Sequence, residues 1–221
     1  MAMDRRTLLD TAFVATICAL LLLVAALAIA LASDPVAGQE PFETVSDPSA
    51  YAAALAASGA GLRAVLFVDS LFLLAYTVAI GFTAMTFAVN NCAAAWVGGL
   101  GILAVMALDM LENATMVQSL DIATLTGAVS MERIAFQATI SAMKWQLSAA
   151  ALLAVSFVLP SATLVEKLLV WGVRLGLPVA VPLFVMNPLG LRETGGLLLL
   201  VVVAGGFVLL SLVLRSQARN A

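Results

Sequence analysis

Four ionisable side chains stand inside otherwise apolar stretches of this 221-residue sequence: Asp69, Asp109, Glu112 and Lys144. A charge in the middle of a membrane helix costs about 2.5–3.5 kcal/mol on an insertion scale, so such residues are functional hypotheses by default. Helical spacing groups them. Asp69 and Tyr76, seven apart, share a side with Phe72 nearby, and Asp109, Glu112 and Asn113 form one patch at i, i+3 and i+4. Arg133, Gln137, Ser141, Lys144 and Ser148 step by four, four, three and four, a polar stripe that should face neighbouring helices. Lys144 can neutralise one carboxylate. The two left over must take protons, bind a cation or meet water.

This arithmetic predicts a ligand site. Asp69, Asp109 and Glu112 supply negative charge, Lys144 acts as internal counter-ion, and Tyr76 and Asn113 orient the ligand. Arg63 and Arg133, at the outer ends of their helices, can add positive charge, with Gln137 and Ser141 in support. The competing reading is a structural clasp, in which Lys144 pairs with Glu112 or Asp109 while Asp69 bonds Tyr76 or Asn113. Membrane hydrogen bonds average only about 0.6 kcal/mol, which is weak glue for that desolvation cost. Ser141 and Ser148 flank Lys144 and permit a Ser-Lys nucleophile pair, but no oxyanion donors are identifiable. Asn113-Ala-Thr115 matches a glycosylation sequon inside an apolar span and reads as chance.

Absent residues narrow the chemistry further. The chain has no histidine, which removes His-ligated haem, His-containing zinc sites and Ser-His-Asp triads. Cys18 and Cys92 lie too far apart for a CxxC site, and a disulfide between them is not expected. Any metal would have to be a hard cation held by oxygen ligands, its identity unknown. No phosphate-loop, dinucleotide or nucleophile-elbow motif is present, so no cofactor is expected.

The elements that must position these residues are membrane spans. The chain is 63% hydrophobic and 10% charged, with mean hydropathy +1.12, against about 45–50% and about 25% in soluble domains. With a net charge of −3 it offers no basic surface for nucleic acid. Apolar runs predict spans over about 11–32, 62–89, 96–117, 131–159, 164–186 and 195–214, the fifth kinked by Pro178 and Pro182. The first run follows Arg5 and Arg6 and ends in Leu31-Ala32-Ser33, which resembles a signal-peptidase site, yet it is longer than a signal core and is read as a retained span. Residues 33–61 form the one long polar stretch, with Asp34, Glu40, Glu43 and Asp47. Ser46-Asp47-Pro48 starts a short helix over 49–58 expected to lie along the membrane interface, with Tyr51 and Leu55 on one face. Residues 118–130 read as a loop, and Asn187-Pro188-Leu189-Gly190 as a turn. Glu166, Lys167 and Arg174 read as an interfacial face.

Six spans put both termini on one side. Arg5, Arg6, Lys167, Arg174, Arg215 and Arg219 fall there, against Arg63, Arg133 and Arg192 on the other, which predicts cytoplasmic termini and an outward-facing 33–61 loop. Counting 1.5 Å per residue from the outer ends places all four intramembrane charges roughly 9–15 Å deep. Three separate helices thus bring charge to one level.

Asp69-Ser-Leu-Phe72-x3-Tyr76, Asp109-x2-Glu112-Asn113 and Lys144 resemble the ordered motifs of a family of uncharacterised bacterial polytopic membrane proteins, over about residues 1–155. That family has no established activity, so the resemblance implies a site and no reaction.

The expected molecule is an all-α integral membrane protein of the bacterial inner membrane, with about six transmembrane helices in a single domain. Its expected function is to bind or transport a small cation, a cationic solute or a lipid headgroup in an outward-facing acidic pocket. Two alternatives are an intramembrane lipid-modifying enzyme using the carboxylates and Lys144, and an accessory subunit of a membrane complex. Membrane lipids are the expected partners; nucleic acid is not, and the sequence names no protein partner or oligomer.

Overall fold

A computed structural model describes residues 4–33, 35 and 37–220; Asp34 lies outside the described residues. Six long helices follow one another: α1 (Arg5–Ala32), α2 (Pro48–Thr86), α3 (Cys92–Thr126), α4 (Met131–Ser156), α5 (Leu164–Met186) and α6 (Arg192–Arg219). Single 3-10 turns at Glu40–Phe42 and Pro188–Gly190 complete the order, with no strand among the described residues. All six helices are long and apolar enough to cross a membrane. Their outer surfaces carry large apolar side chains, among them Leu21, Val24 and Leu31 on α1, Phe67 on α2 and Leu197 on α6.

Local chemistry sets the boundaries. Asp4 accepts from the Thr7 amide at the start of α1, and Asp47 accepts from the Ser49 and Ala50 amides at the start of α2. The Thr7 backbone bond holds the Asp4 carboxyl below the usual range, and the Ser49 hydroxyl, then the Ala50 amide, do the same for Asp47. Both caps are complete at neutral pH and are lost as pH falls through those lowered values.

Several helix boundaries differ from the sequence expectation. The helix expected over 49–58 is present as the first stretch of α2, and a break at Gly59, whose φ of 23° and ψ of −106° lie outside the helical region, separates it from the second span. Glycine alone enters that conformation at little cost. Tyr51 and Leu55 do share a face, and protein covers it: both are buried with Phe42, Leu62, Met116 and Leu120. The third helix runs on to Thr126, so the loop expected over 118–130 shrinks to 127–130. Met116, Leu120 and Ala123 keep helical spacing past the polar Gln118 and bury themselves in that same cluster, which extends the helix. The fourth helix stops three residues early, at Ser156, where Phe157 and Val158 form i→i−3 bonds ahead of Pro160. The fifth coincides with its expected span and holds Pro178 and Pro182 within the helix.

The chain forms two compact units. One comprises Met1–Leu20, Leu74–Val105 and Trp145–Ala221. In it α5 packs on α6 through Leu177, Val181, Phe184 and Leu199, and the Trp145 ring meets Phe184 edge-on at 5.6 Å. Arg174 donates to the Ser156 carbonyl and hydroxyl oxygens, both at 3.1 Å, and lies over the Phe157 ring. Glu166 is buried: it closes a capping box with Thr163 and accepts from Gln217 at 3.1 Å. Thr163-x2-Glu166 is the sequence signature of that box.

The other unit comprises Leu21–Leu73 and Met106–Lys144. Its loop after α1 lies tight against α2 at Gly61, where a Cβ would stand 2.9 Å from both the Ser33 and Ala37 Cβ atoms. Phe42 then anchors the 3-10 turn, 2% exposed and edge-on to Tyr51 at 5.5 Å. Gly61→Val should therefore lift this loop off α2. The expected result is faster proteolytic cleavage between residues 35 and 47 with helix content unchanged; a cleavage rate equal to wild type would contradict the contact.

Candidate functional site

The α3 and α4 segments of the second unit run antiparallel and meet along a polar seam. Gln118 accepts from Arg133 at 2.9 Å, Thr115 bonds Gln137, Glu112 accepts from Ser141, and Asp109 pairs with Lys144 at 3.2 Å. Steps of three along α3 answer steps of four, four and three along α4. Two antiparallel helices must show this arithmetic when their i+3/i+4 faces are in contact. A slip of one turn would break every pair at once.

Lys144 is the centre of charge. Its ammonium bonds Glu112 closely, lies 3.2 Å from Asp109 and reaches Glu43 at 3.9 Å. All four side chains are nearly dry, with 7% of the Lys144 side chain exposed against 1% for Glu112, 13% for Asp109 and 5% for Glu43. Asp69 on α2 adds a fourth carboxylate. It accepts from Asn113 Nδ2 at 2.7 Å and lies close enough to Asp109 for the two like charges to repel. The Gln39 side chain lies beside Asp69.

The expected residues are placed as follows. Asp69, Asp109, Glu112, Asn113, Ser141 and Lys144 come together in one unit, and Gln137 joins the same seam one turn away. Tyr76 is buried on α2, seven residues beyond Asp69, and belongs to the other unit. Arg63 does not add its charge to the cluster, because it pairs with Asp121 where both side chains are about half exposed. Arg133 spends a donor on Gln118 and lies within electrostatic reach of Tyr51. The Ser141 hydroxyl donates to Glu112. Among the described residues, no three His, Cys, Asp or Glu side chains are grouped closely enough to hold a metal ion.

Glu43 is the member that sequence reasoning missed. The sequence places it only in the outward-facing 33–61 loop, yet it is buried beside Lys144. Helical periodicity is silent in a loop. The available signal was the apolar pair Ala37 and Phe42 inside a polar stretch, which marks a segment held down on the core.

Four carboxylates gather around one ammonium in a poorly hydrated place. Removing one partner of a buried pair strands the other, at a cost of about 3–5 kcal/mol. Lys144→Met should lower thermal stability by that order, and Lys144→Met with Glu112→Gln should recover a measurable part of it. Unfolding in detergent checks this; a single variant as stable as wild type would contradict the pairing.

No protein-family model matches the sequence, no curated protein matches it, and no solved structure matches the fold. The resemblance carried by Asp69-x2-Phe72-x3-Tyr76, Asp109-x2-Glu112-Asn113 and Lys144 therefore rests on those residues alone.

Proposed function

We propose that this chain is a multi-pass protein of a bacterial inner membrane, both termini cytoplasmic, that binds a cation from the outer side at the Lys144 cluster. The cation is a small ion, a cationic solute or the headgroup of a lipid, and transport is one form this binding can take. One observation carries the reading: Glu43, Asp69, Asp109 and Glu112 surround a single buried ammonium. Coulomb repulsion among the surplus charges is relieved by any bound cation, and low local dielectric strengthens that relief. Membrane insertion is supported by six long apolar helices whose exteriors are apolar. The orientation is supported by the bias of Arg and Lys toward the side holding the termini.

A second reading, an accessory subunit in which the cluster is purely a clasp, is favoured by one specific feature. The α3–α4 seam pairs residue for residue, and Asp69 is tied to Asn113. Such a seam fixes register whatever else it does.

Neutralising the surplus while leaving Glu112 and Lys144 intact separates the two. Native mass spectrometry of wild type and Asp69→Asn/Asp109→Asn, released gently from the membrane, should show a bound cationic species on wild type only. Retention of the same species by the folded double variant would sink the cation reading. Loss of folding in the double variant, with no ligand on wild type, would favour the clasp.

A further inference from the structure

A ligand arriving from the outer side has to pass something to reach Lys144. The cluster is nearly dry, with Glu112 at 1% exposure and Lys144 at 6%, so an element of the second unit must move. The α3–α4 seam is a poor candidate. Gln118–Arg133, Thr115–Gln137, Glu112–Ser141 and Asp109–Lys144 all lie along it, and parting the two helices breaks them together.

Residues 37–47 are held in another way. The backbone hydrogen bonds described for this segment run back to α1, from the Ala37 amide to the Ala30 carbonyl, or stay within the 3-10 turn. Its described contacts with α2 and α4 go through side chains. Ala37 packs at Gly61, Phe42 meets the Tyr51 ring, Gln39 lies beside Asp69, and Glu43 reaches Lys144 at 3.9 Å. The Tyr51 hydroxyl lies 3.5 Å from the Phe42 carbonyl oxygen, at the long limit of a hydrogen bond. The helices beneath keep packing of their own, because Tyr51, Leu55, Leu62, Met116 and Leu120 share one buried cluster. A segment tied down by side chains more than by backbone ladders is the kind that opens locally. Two of its anchors, Gln39 and Glu43, rest on the charged cluster itself.

Resting on the cation-binding reading above, we infer that residues 37–47 are the lid of this site, lifted to admit the ligand and latched by Glu43 on Lys144. Glu43 is both the latch and one of the gathered carboxylates, so closing the lid completes the set around the ammonium. A cation held by that set favours the closed lid, and closure strengthens its hold by the same factor.

Ser141 reads access to the cluster, being 1% exposed with its hydroxyl on Glu112. Ser141→Cys is combined with Cys18→Ser and Cys92→Ser, which removes both exposed native thiols. Alkylation by iodoacetamide, a neutral reagent, is followed on the full-length protein in phosphatidylcholine nanodiscs. Adding Glu43→Gln should speed it about tenfold as the opening equilibrium shifts. Gly61→Val, which leaves every charge of the cluster in place, should do the same. Equal rates with and without these two changes would overturn the lid. If Ser141→Cys fails to fold, acetylation of Lys144 relative to exposed Lys167, the only other lysine, gives the same readout for Gly61→Val against wild type. A rise in that ratio supports the lid and an unchanged ratio overturns it. No ligand enters these measurements, so a negative result strikes the lid alone, and the cation reading still answers to the bound mass on wild type.

Discussion

An ammonium ion out of water needs anions around it, and Lys144 has more of them than it can use. Glu112, Asp109 and Glu43 approach it from a neighbouring helix and from a loop. Desolvating a charge costs several kcal/mol even after relaxation, so the position is tenable only with partners in place. Much of the second unit follows from supplying them. The α3–α4 seam sets the register that brings Asp109 and Glu112 level with Lys144. The loop after α1 must lie on α2 for Glu43 to reach inward, and Gly61 leaves the space for it.

Overcompensation separates this arrangement from a simple ion pair. A clasp between two helices needs one cation and one anion. Here a second carboxylate on α3, a third from the loop and a fourth on α2 crowd the same charge. Each addition raises the electrostatic cost of the protein alone and lowers the cost of admitting another positive charge. Asn113 joins the same cluster, since its amide nitrogen donates to Asp69. On the proposed function, a cation that relieves the repulsion should also stabilise the fold.

The spans were legible in the sequence because a bilayer demands long apolar runs, and α5 coincides with its run residue for residue. The polar stripe on α4 was legible too, since helical period alone puts Arg133, Gln137, Ser141 and Lys144 on one face. Its partners on α3 were legible only as a patch; the pairing of Thr115 with Gln137 depends on the antiparallel register, which no local pattern encodes. The end of α3 differs where a polar residue interrupts a helix that tertiary burial carries on, at Gln118 with Leu120 and Ala123 beyond it. Glu43 was misplaced for the same physical reason. Burial of a loop residue is decided by contacts far away in sequence, here Phe42 against Tyr51 and Glu43 against Lys144.

If a bound cation balances the carboxylates gathered around Lys144, as proposed, a structure of the protein in a native-like bilayer will reveal it. Single-particle electron microscopy in lipid nanodiscs should show the Glu43 carboxylate turned inward to Lys144, with non-protein density beside the Asp69 and Asp109 carboxylates. A map with Glu43 in solvent, or with protein side chains filling that space and pairing each carboxylate, would contradict the account.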